Sequence, residues 1–188
     1  MSDSNMSESL VRVIETPNPD AYMFRVQETL VPSGTHEFKK GDNTDHSPLA
    51  TQLLAYEEVE LILIAPRFIT VRKSPDHAWI PLASRISESV VKFLHSGDMA
   101  LLEKTDADSG REYSEIETQI LRILDEEIRP AVAQDGGDVV FHGFDNGVVK
   151  LQLIGACGTC PSSTYTLQGY IENYLREEIA EVQSVEQI

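Results

Sequence analysis

Two cysteines, Cys157 and Cys160, are the residues of this 188-residue chain best suited to carry chemistry, and they are its only cysteines. Gly158 and Thr159 separate them. The pair supplies two soft ligands, whereas a zinc or iron–sulfur site usually needs four. A second copy of the chain is the simplest source of the other two, because a two-fold axis brings two identical pairs together. The residues therefore favour a metal centre shared between two chains, or dithiol redox chemistry.

The composition excludes several other classes of function. The chain has 31 acidic and 15 basic residues and a formal net charge of -16, which repels a phosphate backbone, so we expect no nucleic-acid partner. No apolar run approaches the roughly 20 residues that span a bilayer, so we expect no membrane partner. Residues 1–8 have neither the basic and apolar regions of a signal peptide nor the arginines of a transit peptide, which predicts a cytoplasmic protein.

The elements that position the cysteines fall into two predicted domains. Between residues 97 and 113 the hydrophobic pattern stops, and glycine, aspartate and scattered charge replace it. Such a segment is typical of a linker. We therefore expect a disordered N-terminus at 1–9, a first domain at 10–96, the linker, and a second domain at 114–188.

The first domain is predicted to combine strands with two helices. Ser47-Pro48 has the form of a helix N-cap followed by proline at the first helical position, which predicts a short helix through Leu54. Between 75 and 94 the apolar residues recur every three or four positions, which predicts a helix with one apolar face. The runs that favour strands lie at 10–15, 21–27, 59–64 and 68–72.

The second domain is predicted to run helix, strand, strand, helix, strand. Ser114 and Glu117 have the spacing of a capping box at the start of its first helix, and Pro130 is expected to end or kink that helix. Asp145-Asn146-Gly147 is a strong signal for a two-residue hairpin turn. The remaining elements are strands at 139–144, 148–154 and 182–188 and a helix that opens at Pro161. The predicted fold class is α+β, with two small domains that each pack a few-stranded sheet against helices.

The cysteines lie between the predicted hairpin and the predicted helix that follows it. The thiolate of Cys160 would then lie near the positive end of the helix dipole, which lowers a thiol pKa from its free value of about 8.5. The thiolate is the form that binds iron or zinc. Gly155, Ala156 and Gly158 leave little side-chain bulk around the sulfurs, so that backbone N–H groups can approach a bound cluster.

Three uses of the pair must be distinguished. A thioredoxin-like domain is excluded, because only 28 residues follow Cys160, too few for the rest of that fold, and Ala156 stands where such sites carry tryptophan. A zinc-linked dimer stays open, in which four cysteines join two chains structurally. A dithiol oxidoreductase also stays open, in which Cys157 and Cys160 cycle through a disulfide.

Residues 116–188 resemble the C-terminal domain of NifU, which is shared by Nfu-type iron–sulfur scaffold and carrier proteins. That resemblance rests on Ile128-Arg129-Pro130, Asp135-Gly136-Gly137-Asp138-Val139, the hairpin, Cys157-Gly158-Thr159-Cys160-Pro161-Ser162-Ser163 and Val185-Glu186-Gln187. The first domain resembles the Nfu N-terminal domain. Its matching residues are Thr16-Pro17-Asn18-Pro19, Ser47-Pro48-Leu49-Ala50 and Phe68-Ile69-Thr70-Val71.

The resemblance implies a function for the cysteines. In such a protein Cys157 and Cys160 from two subunits ligate one [4Fe-4S] cluster, which is held transiently and delivered to apo-proteins. The implied partners are a second copy of the chain when the cluster is bound, apo iron–sulfur recipient proteins, and an upstream scaffold as a further candidate. The resemblance implies a scaffold or carrier, not an enzyme, so no catalytic residue is predicted.

Other polar residues are expected to serve the fold. The five histidines have no ligand spacing with one another, and the acidic pairs are typical of solvated helix faces. The run Asp135-Gly136-Gly137-Asp138 is too short for an EF-hand, so its glycines are expected to serve the turn from helix to strand.

Overall fold

The computed structural model describes residues 10–102, 112–158 and 161–188. The chain forms two compact units, residues 1–104 and 105–188. Each unit combines a sheet with helices, which confirms the predicted α+β fold class. The predicted disordered N-terminus at 1–9 and most of the predicted linker lie outside the described residues. Among the described helices, none combines the length and the apolar character needed to cross a bilayer.

The first unit is built on an antiparallel sheet of five strands in the order β1-β2-β5-β4-β3. Its strands are β1 Val11–Glu15, β2 Ala21–Val26, β3 His36–Lys39, β4 Val59–Ile64 and β5 Phe68–Lys73. Four of them follow the predicted runs closely. The edge strand β3 was not predicted, because Phe38 is its only buried residue and so short a run carries no alternating pattern.

Two helices complete the first unit, α1 at Pro48–Leu54 and α2 at Trp79–Ser96. Ser47 caps α1 as predicted, since its Oγ accepts a hydrogen bond from Ala50 N at 3.2 Å. Both helices share one apolar core with the sheet. Packing of this unit extends past Gly97, where the linker was predicted to start, because Ala100 is buried and its carbonyl accepts a hydrogen bond from Ser47 Oγ at 2.7 Å.

The second unit follows the predicted order of elements. Its helical segments are α3 at Glu115–Ile123, a π-helical turn at Leu124–Ile128, α4 at Arg129–Gln134 and α5 at Pro161–Glu178. Its strands are β6 at Gly137–Asp145, β7 at Val148–Gly155 and β8 at Ser184–Gln187, in the order β6-β7-β8. Strand β6 is antiparallel to β7, and β8 is parallel to β7. The connection between the parallel strands contains both the cysteines and α5.

The helical path of the second unit does not end at Pro130, which corrects one of the two predicted outcomes. Pro130 lies in the first turn of α4, where a missing N–H costs little. The π-helical turn Leu124–Ile128 precedes it and changes the hydrogen-bond register of the helix. The helix can therefore pass the proline without losing an interior hydrogen bond.

The predicted hairpin between β6 and β7 is confirmed by its backbone. Asn146 has φ of 49° and Gly147 has φ of 85°, so both turn residues lie in the left-handed region that a type I′ turn requires. The register then pairs Gly137 with Gly155 at the far end of the two strands. A bulge between Phe141 and Gly143 shifts this register along the way.

The capping box at Ser114 is expected to stabilise the start of α3. Ser114 Oγ accepts a hydrogen bond from Glu117 N at 3.2 Å, and Ser114 N donates to Glu117 Oε2 at 3.0 Å. Replacing Ser114 with alanine should destabilise α3 by about 1 kcal/mol, which corresponds to roughly fivefold faster hydrogen exchange of its amides. Glu117→Gln preserves an acceptor for Ser114 N and should change exchange by less than about twofold. Equal exchange in the wild type and Ser114→Ala would contradict a stabilising cap.

Candidate metal centre

Cys157 lies in the turn that leaves β7, four residues before α5 begins at Pro161. This is the position that the sequence predicts, between a hairpin strand and a helix. Cys160, the second predicted ligand, lies outside the described residues, so the distance between the two sulfurs is not part of the site geometry.

The side chain of Cys157 is buried and belongs to the apolar core of the second unit, with only 2% of its surface exposed. Its core neighbours include Val139, Leu151 and Leu153 from the two long strands. A sulfur in this position packs as a small apolar group. Coordination of a metal shared with another molecule would require the turn to open and the sulfur to leave the core.

Gly137 leaves the space that the Cys157 side chain occupies, and Gly158 lets the turn pack closely against the backbone of β7. A Cβ added at Gly137 would lie 2.6 Å from Cys157 Sγ and 2.9 Å from the carbonyl oxygen of Ile154. A Cβ added at Gly158 would overlap the carbonyl oxygen of Leu153. Real Cβ atoms do not approach other atoms so closely, so both positions exclude any larger residue without a shift of the backbone.

The run Asp135-Gly136-Gly137-Asp138 is thus part of the cysteine site as well as a turn. The carbonyl of Gly136 accepts a hydrogen bond from Ala156 N at 3.2 Å, next to Cys157. Gly136 has φ of 76° and Gly155 has φ of 70°, conformations in which glycine avoids the strain of a side chain. The turn after α4 and the turn after β7 therefore lie against each other, a contact that the sequence analysis missed.

An arginine connects two of the motifs that carry the family resemblance. Arg129 Nε lies 3.7 Å from Asp138 Oδ1, and Arg129 Nη1 lies 3.1 Å from Asp125 Oδ1. Asp138 is buried, and its Oδ1 also accepts a hydrogen bond from Val139 N at 2.7 Å. The Ile128-Arg129-Pro130 segment is thereby tied to the glycine turn that borders Cys157.

Two side-chain hydrogen bonds fix helix α5, which follows the cysteines in the chain, to strand β8. Gln168 Nε2 donates to the carbonyl of Val185 at 2.8 Å, and Glu172 Oε2 accepts from Val185 N at 2.9 Å. Both bonds use backbone groups on the outer edge of β8. Burial raises the pKa of Tyr174 on the same helix, and the nearby carboxylates of Glu127 and Glu178 raise it further. The helix that follows the cysteine turn is therefore held against β8 by two of its own side chains.

A complete metal site is not found within the described part of the chain. Among residues 10–102, 112–158 and 161–188, no group of three or more histidine, cysteine, aspartate or glutamate side chains could hold a metal ion.

The burial of Cys157 leads to a prediction about its reactivity. In the Cys160→Ala variant, Cys157 is the only thiol, so labelling reports on this sulfur alone. We expect maleimide to modify it at least about tenfold more slowly in the native, metal-free chain than in urea, because the sulfur must first leave the core. Mass spectrometry over time measures both rates. Equal rates would contradict the buried position.

Known protein families match both halves of the chain. Residues 11–97 match the family described as scaffold protein Nfu/NifU N terminal, and residues 120–186 match the NifU-like domain. A solution structure of a NifU-like protein from Saccharomyces cerevisiae is similar with a TM-score of 0.46 and 24% identity, over 50% of this chain and 85% of that one.

Curated relatives are similar over nearly the whole chain. The human protein named NFU1 iron-sulfur cluster scaffold homolog, mitochondrial, is 36% identical over 181 residues, which is 95% of this chain and 71% of that protein. Its Drosophila ananassae counterpart is 36% identical over 98% of this chain and 66% of that protein. NifU-like protein 4, mitochondrial, from Arabidopsis thaliana is 36% identical over 94% of this chain and 65% of that protein. The chain spans about two thirds of the length of these relatives.

The prediction of a cytoplasmic protein is contradicted by these comparisons. The relatives from human, fly and plant all carry the word mitochondrial in their names. The prediction relied on residues 1–8, which lack the pattern of a transit peptide. Eight residues are a short stretch, and their composition alone does not determine where a protein is located.

The assignment of the chain to a protein family does not depend on where in the cell the protein is located. The human relative is 36% identical, and the chain covers 71% of its length. The family matches cover the two halves of the chain in the order that the resemblance implied. The chain therefore belongs to the Nfu/NifU family of scaffold proteins.

Proposed function

We propose that the chain is an iron–sulfur cluster scaffold or carrier and not an enzyme, and that Cys157 and Cys160 of two chains hold one [4Fe-4S] cluster between them. The placement of the chain's only two cysteines carries the proposal. They lie together in the segment that matches the NifU-like domain. The human relative, similar over nearly the whole chain, is named as an iron–sulfur cluster scaffold homolog.

The number of ligands determines the stoichiometry of the proposed complex. A [4Fe-4S] cluster is commonly held by four cysteine thiolates, and one chain has two cysteines. Two chains related by a two-fold axis supply all four without any other residue. We therefore infer that cluster binding and dimer formation are one coupled equilibrium. Without the cluster, the chain is not expected to dimerise through the turn that carries the cysteines.

The burial of Cys157 supports a transient hold on the cluster. In the metal-free chain the sulfur packs in the core of its own unit, with 2% of its surface exposed. Ligation removes the sulfur from that core. The net free energy of cluster binding is therefore less favourable by the packing energy that the core loses. Release of the cluster restores the packing. This competition suits a protein that gives its cluster to apo iron–sulfur recipients and receives it from an upstream scaffold.

Anaerobic reconstitution with iron and sulfide tests the proposal. We expect about two irons and two sulfides per chain, a brown colour, and a mass in solution of twice that of one chain. Iron is measured by a chelator assay, sulfide by its acid-labile release, and mass by light scattering. An apo iron–sulfur protein added afterwards should gain the cluster while this chain returns to its metal-free mass.

Other stoichiometries would contradict the proposal in distinct ways. About one iron per chain in a dimer would indicate a [2Fe-2S] cluster. A colourless dimer with about half a zinc per chain would indicate a structural zinc site. Absence of any metal, together with a reversible Cys157–Cys160 disulfide, would indicate a dithiol oxidoreductase.

A further inference from the structure

The first unit contains a half-open pocket with an arginine-rich lining. Its volume is about 660 Å³, and three of the described residues that line it are Arg12, Arg25 and Arg67. Val26 and Phe68 form an apolar part of the same lining. Pockets that bind small molecules commonly have volumes of about 300–1,000 Å³. The pocket belongs to the unit without cysteines and lies outside the candidate metal centre.

The fold brings the three arginines together from distant parts of the sequence. Arg12 on β1 is directly opposite Arg25 on β2, and Arg25 is opposite Phe68 on β5. Arg67 precedes Phe68, and its carbonyl accepts a hydrogen bond from Val26 N at 2.9 Å. Arg12 and Arg25 therefore share one face of the sheet with Phe68, and Arg67 joins the pocket lining from the residue before β5.

The arrangement places like charges next to each other. Like charges directly opposite each other on neighbouring strands destabilise a sheet. Within the described ranges, none of the ion pairs formed by aspartate or glutamate involves Arg12, Arg25 or Arg67. The chain has 31 acidic residues, yet no described lining residue carries a carboxylate. The pocket is thus a local concentration of positive charge in a strongly acidic protein.

We propose that this arginine pocket binds a small multivalent anion with phosphate or carboxylate groups. The guanidinium group presents a planar fork of N–H donors that matches both kinds of oxyanion and keeps its charge at every physiological pH. Arg67 is held in place, because its Nη1 donates to the carbonyl of Gln27 at 2.8 Å, and a guanidinium group has five N–H donors in all. The apolar lining provides a surface for a carbon skeleton.

Titration calorimetry on the metal-free, full-length chain tests the proposal. The probes are pyrophosphate for the phosphate class and citrate for the carboxylate class, with glucose as a neutral control, at low ionic strength. We expect saturable binding of at least one anion at one site per chain, and no binding of glucose. Comparison of the two anions identifies which group the pocket prefers.

Matched charge variants assign the binding to this pocket. Arg25→Gln should weaken anion binding about tenfold or more, because it removes a charged bidentate donor. Arg122→Gln removes the same charge from an exposed position on α3 in the other unit and should leave the affinity unchanged. Equal affinities of the wild type and Arg25→Gln, or equal losses in both variants, would overturn the proposal. Binding of an oligoglutamate peptide but of neither small anion would overturn it in favour of an acidic protein partner.

Thermal unfolding separates binding from folding. Without anion, Arg12→Gln should melt at the wild-type temperature or slightly above it, because it relieves the repulsion with Arg25. With saturating anion the wild type should gain several degrees, and the variant should lose most of that gain. A variant that melts lower without anion but keeps the full anion-induced shift would contradict a ligand site at Arg12.

Discussion

Replacement of Cys157 by alanine should abolish cluster binding, reducing iron from about two atoms per chain to nearly none. Two variant chains together offer only two thiolates, which do not complete the ligand set of a [4Fe-4S] cluster. Because the proposed dimer depends on the cluster, reconstituted Cys157→Ala should remain at the mass of one chain. Iron, acid-labile sulfide and light scattering on the same sample measure both effects.

The control for this variant must separate loss of a ligand from loss of packing. Cys157 is a buried core residue, so its truncation also removes apolar contacts and destabilises the second unit. Val182 is buried in the same core and ligates nothing in the proposal. Val182→Ala should therefore destabilise the unit comparably yet keep about two irons per chain. Loss of iron in both variants, or retention of iron in Cys157→Ala, would contradict ligation by Cys157.

Local signals predicted most of the fold. The capping box at Ser114, the N-cap at Ser47 and the Asn146-Gly147 turn each depend on residues within a few positions of one another. Such signals need no tertiary information, so they can be read directly from the sequence. The order of elements in the second unit followed from them, because each turn fixed where the next strand or helix began.

Features that depend on strand register could not be predicted in the same way. The contact between Gly137 and Cys157 requires counting back from the hairpin turn through the bulge between Phe141 and Gly143. The bulge has no clear sequence signal, and a shift of one residue changes which side chains face each other. For the same reason the sequence predicts Cys157 as a metal ligand but does not predict that its side chain is buried.

The arginine pocket shows a second limit of sequence reasoning. The net charge of -16 is a property of the chain as a whole. It does not predict that Arg12, Arg25 and Arg67 meet, because they are spread between positions 12 and 67 and converge only through the pairing of β1, β2 and β5. Overall charge and local charge are thus independent properties of the fold.

The second large effect is expected at Gly137. Replacing Gly137 with alanine should lower the free energy of unfolding by about 1–3 kcal/mol, the usual range for overfilling a packed core. The added Cβ would lie 2.9 Å from the backbone carbonyl oxygen of Ile154 and 2.9 Å from Cys157 Cβ, so rotating the Cys157 side chain alone does not remove the overlap. The atom that can move is Cys157 Sγ, at 2.6 Å. We therefore expect the thiol to be displaced from the core, and urea unfolding followed by circular dichroism measures the accompanying loss of stability.

The displaced thiol provides a readout that a general loss of stability does not. In a Cys160→Ala background, Gly137→Ala should increase the rate of maleimide labelling of Cys157 under native conditions about tenfold. Gly169→Ala is the matched control, because a Cβ at Gly169 on α5 meets nothing within 4 Å. Alanine favours a helix interior over glycine by about 0.5–1 kcal/mol, so this variant should be stabilised and its labelling rate should not rise. If Gly137→Ala matched Gly169→Ala in both measurements, Gly137 would not be what holds Cys157 in the core. The sulfur's release for cluster binding would then have to be controlled by the other side of the turn, where Gly158 lies against the carbonyl of Leu153.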